Sequence, residues 1–105
     1  YQEAEESLGY DCDCLMECDN NGDNFAATPV AHPTLANLTL IGNGGSKQGI
    51  RLRAGTQASI YNALVARKGM CLTTETAETE DALVEGTSVL NYISLATDIT
   101  CKGAE

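Results

Sequence analysis

Short runs in which apolar and polar residues alternate occupy the chain from Thr34 to Cys101. These runs are rich in β-branched residues and are separated by Gly, Asn and Ser, which is typical of strands. The predicted strands are Leu35–Ile41, Ile50–Arg53, Ser59–Val65, Met70–Thr73, Val89–Leu95 and Ile99–Cys101. One helical turn is predicted within Glu75–Glu85, where Thr and Glu residues offer capping groups. The pattern predicts a mostly β protein.

The strands form two interleaved series when they are aligned. The first series is NLTLI from Asn37, NALVA from Asn62 and NYISL from Asn91. The second series is GIRLR from Gly49, GMCLT from Gly69 and DITCK from Asp98. A recurrence of about twenty to thirty residues is typical of a solenoid whose coils stack on their neighbours. We therefore predict an all-β fold, a short parallel β-helix of about three to four coils.

Alternation within the second series predicts which side chains face the interior, and it leaves Arg51 and Arg53 outside. The run LMECD extends this series backward, which places Met16 beside Ile50 and Cys18 beside Leu52. The predicted core stack is Met16, Ile50, Met70, Ile99, Leu52 and Leu72, with Cys101 next to Leu72. An antiparallel sandwich also suits short strands with Gly-rich turns. Like residues repeating in the same direction favour the β-helix.

The chain has 105 residues, enough for a single small domain over residues 1–105. Residues 1–33 form an acidic, cysteine-rich N-terminal segment and turn, and residues 34–105 form the β-helix coils. The formal net charge of −9 excludes nucleic acid as a favoured partner, because an acidic surface repels phosphates. No run approaches the roughly 20 apolar residues that span a membrane.

Five cysteines in so short a chain predict an oxidising compartment. The disulfide candidates are Cys12, Cys14, Cys18, Cys71 and Cys101. At least one disulfide is expected, using two of the first three, because nearby loop cysteines can reach the required separation. The chain starts at Tyr1 without a signal segment, so we expect a mature or excised piece that is extracellular or at the cell surface.

Candidate chemistry is sparse. His32, the single histidine, lies between two prolines in a turn, so no nucleophile–base pair is predicted. The alternating oxygens of Asp19, Asn21 and Asp23 could surround calcium, although a solvated Asx-rich turn is the favoured explanation. Apart from possible calcium, no cofactor is predicted, and the cysteine spacing lacks the second pair of a zinc site.

The motifs between Met16 and Ala66 resemble those of large bacterial cell-surface and secreted proteins with a right-handed parallel β-helix, mostly uncharacterised. The matching motifs are Asp19–Gly22, Thr28–Pro29 with Pro33–Thr34, Asn37–Gly42, Gly49–Thr56 and Asn62–Val65. The resemblance implies a right-handed helix at the cell surface, and this chain is similar to a C-terminal segment of those proteins. In β-helix polysaccharide lyases, a basic residue beside acidic calcium ligands abstracts a sugar proton, so Arg51 and Arg53 are the only catalytic candidates.

Two functions follow as expectations. The first is a non-enzymatic structural module that self-associates end to end into a filament, because exposed strand edges template pairing. The second is a carbohydrate-binding or polysaccharide-processing module. The aromatic content of the chain, 5%, weighs against the carbohydrate module, because sugar sites use aromatic rings for stacking.

Overall fold

The computed structural model describes residues 13–97 and the backbone of residues 99–101. Its elements are β1 (Met16–Asp19), β2 (Thr34–Ile41), β3 (Gln48–Arg53), β4 (Ser59–Ala66), β5 (Met70–Thr74), α1 (Ala77–Val84), β6 (Val89–Leu95) and β7 (Ile99–Cys101). Every predicted strand is present, with bounds within two residues of those predicted, and the predicted helical turn is α1. No helix in this part of the chain has the length and apolar character that crossing a membrane requires.

Two parallel sheets make up the fold. The first has the strand order β1-β3-β5-β7, and the second has the order β2-β4-β6. Consecutive strands therefore alternate between the sheets, and every pairing in both sheets is parallel. This arrangement confirms the parallel solenoid and excludes the antiparallel sandwich, whose neighbouring strands run in opposite directions.

The first pairing has the predicted register, with Met16 beside Ile50 and Cys18 beside Leu52. Ile50 and Leu52 are buried, whereas Arg51 between them reaches the surface. Period-two alternation produces this result, because successive side chains of a strand point to opposite faces.

The register of β5 corrects the predicted core stack. Met70 pairs with Gln48 and remains partly exposed, so it does not lie beside Ile50. Leu72 takes that place and pairs in turn with Ile99. The shift is two residues, so the apolar set of β5 still faces the interior.

Turn length explains the shift. The alignment of the sequence matched Gly49 with Gly69. In the structure the first residue of β3, Gln48, pairs with the first residue of β5, Met70. Six residues separate β2 from β3, and only three separate β4 from β5, so Gly69 still belongs to a turn while Gly49 lies in a strand. In consequence the row that begins at Leu52 continues through Thr74 to Cys101 and does not include Leu72.

The core lies between the two sheets and is aliphatic. Its buried residues are Leu40, Ile50, Leu52, Ala58, Ile60, Ala63, Val65, Cys71 and Leu72. Leu90, Ile93 and Leu95 of β6 pack against this cluster. No aromatic ring belongs to it, in line with the low aromatic content of the chain.

Helix α1 follows β5 and buries Thr79, Glu80 and Ala82. The prediction gave its threonines a capping role, but Thr76 makes no side-chain cap hydrogen bond. The backbone N–H of Gly55 instead donates to the Thr79 hydroxyl at 3.0 Å. Thr79 thus joins α1 to the turn between β3 and β4. The N-cap residue, Thr76, makes no capping hydrogen bond with its side chain.

Candidate functional site

The outward side chains of the first sheet form a charged face, defined as Glu17, Asp19, Arg51, Arg53 and Glu75. In-register parallel pairing sets Glu17 beside Arg51 and Asp19 beside Arg53. Strand neighbours of opposite charge stabilise each other on one face of a sheet. The acidic β1 and the basic β3 are therefore complementary.

Each arginine of the charged face is held by carboxylates. Arg51 Nε and Nη2 donate to Glu75 Oε1 and Oε2 at 3.1 and 3.0 Å. Its Nη1 also lies 3.6 Å from Glu17. Arg53 contacts Glu17 at 3.6 Å and Asp19 at 3.3 Å.

Electrostatics make Arg51 a poor base. The bidentate bond to Glu75 raises the pKa of the Arg51 guanidinium, and the charges of Glu75 and Glu17 add to the effect. Partial burial raises the pKa of Asp19, and this outweighs the opposing attraction of Arg53. A proton acceptor needs a basic form near the operating pH. The geometry thus gives Arg51 an ion-pairing role.

The calcium candidates have other contacts in the structure. Asp19 is paired with Arg53. The Asn21 side-chain oxygen accepts hydrogen bonds from the backbone N–H groups of Asp23 and Asn24 at 2.9 and 3.1 Å, as in an Asx turn. Calcium binding at this turn stays a prediction.

A different cluster near β1 brings ligand atoms of Asp13, Cys14 and Glu17 within 4.8 Å of one another. The Cys14 thiol donates to Glu17 Oε2 at 3.1 Å. Partial burial, with this bond and the neighbouring acids, raises the pKa of Cys14 to about 11. Metal ligation by cysteine requires the thiolate. A metal bound here would therefore have to displace a proton that Cys14 holds more tightly than a free thiol does.

The described cysteines are free. Cys14 and Cys18 are partly buried thiols, and Cys71 is fully buried. Burial also raises the pKa of Cys18. The prediction of a disulfide between two of Cys12, Cys14 and Cys18 is not met, because no disulfide is present among residues 13–97. Cys12 and the Cys101 side chain lie outside the described residues.

His32 forms a hydrogen bond with a serine in the structure. The sequence pattern did not predict this contact. His32 Nε2 lies 2.8 Å from Ser59 Oγ, and its Nδ1 lies 3.1 Å from Gln57 Oε1. The sequence does contain a signal for this contact. The offset of 25 residues that relates Asn37 to Asn62 also places His32 beside Gln57.

This order of serine, histidine and an orienting side chain is that of a nucleophile and its base. Acyl transfer also requires N–H groups that bind the oxyanion. The adjacent amides are already used: Gln57 donates to Ala31, Ala58 to Ser88, and Ser59 to Pro33. The arrangement therefore forms a hydrogen-bonded surface pair without an oxyanion hole at those amides.

The second sheet bends at one residue in each strand. Asn37, Asn62 and Tyr92 have φ values of 60°, 56° and 58° and share one row across the sheet. Asn62 Nδ2 donates to Asn37 Oδ1 at 2.7 Å. Asparagine adopts this left-handed conformation more readily than other residues with a side chain. Two of the three positions thus carry the residue type that the backbone favours.

Tyr92 corrects the alignment of the first series, which had matched Asn91 with Asn62. Ala63 pairs with Ile93, so the residue before Ile93 takes the row of Asn62. A one-residue slip would turn Ile93 away from the core. The apolar pattern sets the register here, and the asparagine does not.

A groove of about 260 Å³ lies on the outer face of this sheet. The residues that define this neutral groove are Asn37, Thr39, Asn62, Leu64, Tyr92 and Ser94. Every residue in its lining is uncharged. Tyr92 is 80% exposed and Leu64 is 43% exposed, so the groove presents an aromatic ring and an aliphatic side chain among amide and hydroxyl groups.

The sequence model of a family described as the pectate-lyase-like β-helix domain matches residues 1–104. Because the match covers nearly the whole chain, the protein belongs to this family. Comparison with curated proteins found no match, and neither did comparison with solved structures.

Proposed function

We propose that this pectate-lyase-like β-helix domain is a non-enzymatic structural module, extracellular or at a bacterial cell surface, that associates end to end. The observation that supports the proposal is the order of the sheets, in which β1 and β2 lie at one end and β6 and β7 at the other. No strand within residues 13–97 and 99–101 pairs with the outer edges of these four strands. Unpaired strand edges template pairing with another chain.

End-to-end stacking would extend both ladders with the parallel pairing that they already have. A contact between unlike ends does not close on itself, so its product is a filament. A right-handed helix of about three to four coils is the geometry we infer, since parallel crossover connections are right-handed in nearly all proteins.

The non-enzymatic character of the proposal rests on the charged face. A lyase-type mechanism needs a basic group able to take a proton from a sugar carbon. Both arginines are instead engaged by carboxylates of their own chain. The extracellular location rests on the cysteine content.

Charge pairs across the proposed contact provide the test. The outward row Ala36–Tyr61–Asn91 crosses the second sheet, so a stacked copy would place its Ala36 beside Asn91. The double variant Ala36→Lys with Asn91→Lys sets like charges across the contact and should abolish assembly. The matched variant Ala36→Glu with Asn91→Lys sets opposite charges there and should restore it.

Sedimentation velocity over a range of concentrations is the measurement. The wild type should form large species whose size grows with concentration, and the Lys–Lys variant should stay monomeric. A wild-type monomer at every concentration would overturn the proposal, and so would a Lys–Lys variant that assembles normally. Tyr61→Lys changes the same row in the central strand and serves as the control for added charge.

A further inference from the structure

We propose that Asn21 is a modification site, at which the folded chain closes the asparagine side chain onto the next backbone nitrogen and loses the amide as ammonia. The chain has two Asn–Gly pairs, Asn21–Gly22 and Asn43–Gly44. Glycine carries no side chain to hinder attack by its own nitrogen. The sequence therefore makes the two pairs equivalent, and the fold separates them. This deamidation concerns a single chain and does not depend on the proposed assembly.

The reaction consumes only water. The backbone N–H of Gly22 gives its proton to solvent, and its nitrogen attacks Cγ of Asn21. An N–Cγ bond forms, and the negative charge passes to Oδ1. The Cγ–Nδ2 bond then breaks, and Nδ2 takes a proton from water and leaves as ammonia. A second step, the addition of water to either carbonyl of the cyclic imide, opens the ring to aspartate or isoaspartate.

The first argument is the state of the attacking nitrogen. The Gly44 N–H donates to the Arg67 carbonyl at 2.8 Å, and this bond holds the proton that the reaction must remove. The Gly22 N–H has no acceptor among residues 13–97 and 99–101. Gly22 is also exposed, and a Cβ built on it would meet no atom within 4 Å, so water reaches this amide. Cyclisation is therefore open at Asn21 and opposed at Asn43.

The second argument is the set of donors around the carbonyl that is attacked. Asn21 Oδ1 accepts from the backbone N–H groups of Asp23 and Asn24 at 2.9 and 3.1 Å. Two preorganised N–H groups at this distance bind a negative oxygen more strongly than the neutral amide oxygen that precedes it. Asn43 Oδ1 accepts from the Gly45 N–H at 3.0 Å, without a second donor in the described part of the chain. The turn at Asn21 therefore lowers the barrier more.

Peptide mapping by mass spectrometry measures deamidation at both pairs in the full chain. The chain is incubated in mildly alkaline buffer with a chelator, so that no cation occupies the turn. In the folded chain Asn21 should react at least about tenfold faster than Asn43. In urea both pairs lose their surroundings, so the two rates should agree within about threefold. Equal rates in the folded chain would overturn the proposal, and so would a difference that persists unchanged in urea.

Gly22→Ala is the decisive variant, because its methyl group hinders the attacking nitrogen without touching the rest of the fold. The φ of Gly22 lies outside the left-handed region, so the melting temperature should stay equal or rise. Deamidation of Asn21 should slow at least about tenfold, while Asn43 keeps its wild-type rate. An unchanged Asn21 rate in this variant would overturn the proposal.

Hydrogen exchange followed by NMR tests the two nitrogens directly. The Gly44 amide should exchange at least about tenfold more slowly than the Gly22 amide, because only Gly44 is bonded to a carbonyl. A Gly22 amide as protected as that of Gly44 would remove the first argument and overturn the proposal.

Protein concentration separates this site from the proposed assembly. Every group in the reaction belongs to one chain, so the rate at Asn21 should be the same in dilute and concentrated samples, whether the chain is a filament or a monomer. The Lys–Lys variant of the assembly test should therefore deamidate at the wild-type rate. A rate that depends on concentration would place the cause at a contact between copies and overturn the assignment to the single chain.

Discussion

The two sheets of this β-helix share a topology and a core but present opposite chemistry. On the charged face, Arg51 lies between carboxylates of β1 and of the residue that follows β5. On the outer face of the second sheet, the neutral groove contains amide, hydroxyl, aliphatic and aromatic groups without a charge. The first face satisfies its charges internally, whereas the second leaves its largest side chain in solvent.

This difference follows from the way a parallel β-helix orders its outward side chains in rows. In-register pairing sets neighbouring coils side by side, so acidic and basic rows neutralise each other. An exposed aromatic residue in a strained backbone conformation has no such explanation. Tyr92 thus departs from the residue type of its own row, which carries asparagine at Asn37 and Asn62.

The shared core should give the largest effect of any substitution. Leu72 is fully buried and lies beside Ile50, so Leu72→Ala should lower the free energy of unfolding by about 2–5 kcal/mol, through lost burial and a cavity. Urea denaturation measures the change. Leu64→Ala in the neutral groove is the control, with an expected loss below about 1 kcal/mol. Equal losses in the two variants would contradict the placement of the core.

The turn that joins the two sheets should give the next largest effect. A Cβ at Gly55 would overlap the backbone carbonyl of Phe25, and its φ of 79° disfavours any side chain. Gly55→Ala should therefore cost roughly 2–4 kcal/mol, the sum of backbone strain and overpacking.

Gly86 provides a matched control for this turn. Its φ is 82°, but a Cβ there would meet no atom within 4 Å. Gly86→Ala should cost about 1 kcal/mol, from strain alone. Thermal unfolding of both variants isolates the steric contribution, and a Gly55→Ala loss no larger than that of Gly86→Ala would contradict the close approach of Phe25.

The sequence predicted strands, parallel stacking and the inward face, because apolar periodicity encodes these directly. It could not separate registers that differ by two residues. The predicted stack therefore placed Met70 beside Ile50, whereas the structure places Leu72 there. The groove was harder still, because it depends on a bend at Tyr92 that the local sequence does not reveal. The His32–Ser59 contact was accessible, since the 25-residue offset of the repeat places these segments side by side.

The charged face should respond to substitution more weakly than the core. Glu75 and Arg51 are 19% and 20% exposed in their side chains, and Arg51 retains Glu17 if Glu75 is removed. Glu75→Gln should cost about 1–2 kcal/mol, less than a fully buried pair. Lys47→Gln, in an exposed pair at 3.9 Å, should change stability by less than about 0.5 kcal/mol.

The salt dependence of the Glu75→Gln effect tests whether the Arg51–Glu75 ion pair is enclosed or open to solvent. Screening weakens exposed pairs most, so the cost of Glu75→Gln should persist largely unchanged in 1 M salt if the pair is as enclosed as the structure shows. Denaturation at both salt concentrations makes the comparison. A cost that vanishes in high salt would mean that the charged face is open to solvent.

The smallest effect concerns the thiol beside the charged face. Because the pKa of Cys14 is raised to about 11 from the usual 9.0 of a cysteine thiol, the folded chain holds this proton more tightly than the unfolded chain. The resulting stability is fully present below pH 9 and declines as the pH rises toward 11. Cys14→Ser should flatten that decline.

Alkylation at pH 9, followed on the Cys14 peptide by mass spectrometry, should be at least about tenfold slower in the folded chain than in urea. Glu17→Gln removes the negative charge and replaces the carboxylate acceptor with a weaker neutral amide, so it should speed the reaction. Equal rates in the folded and unfolded chains would contradict the hydrogen bond between Cys14 and Glu17.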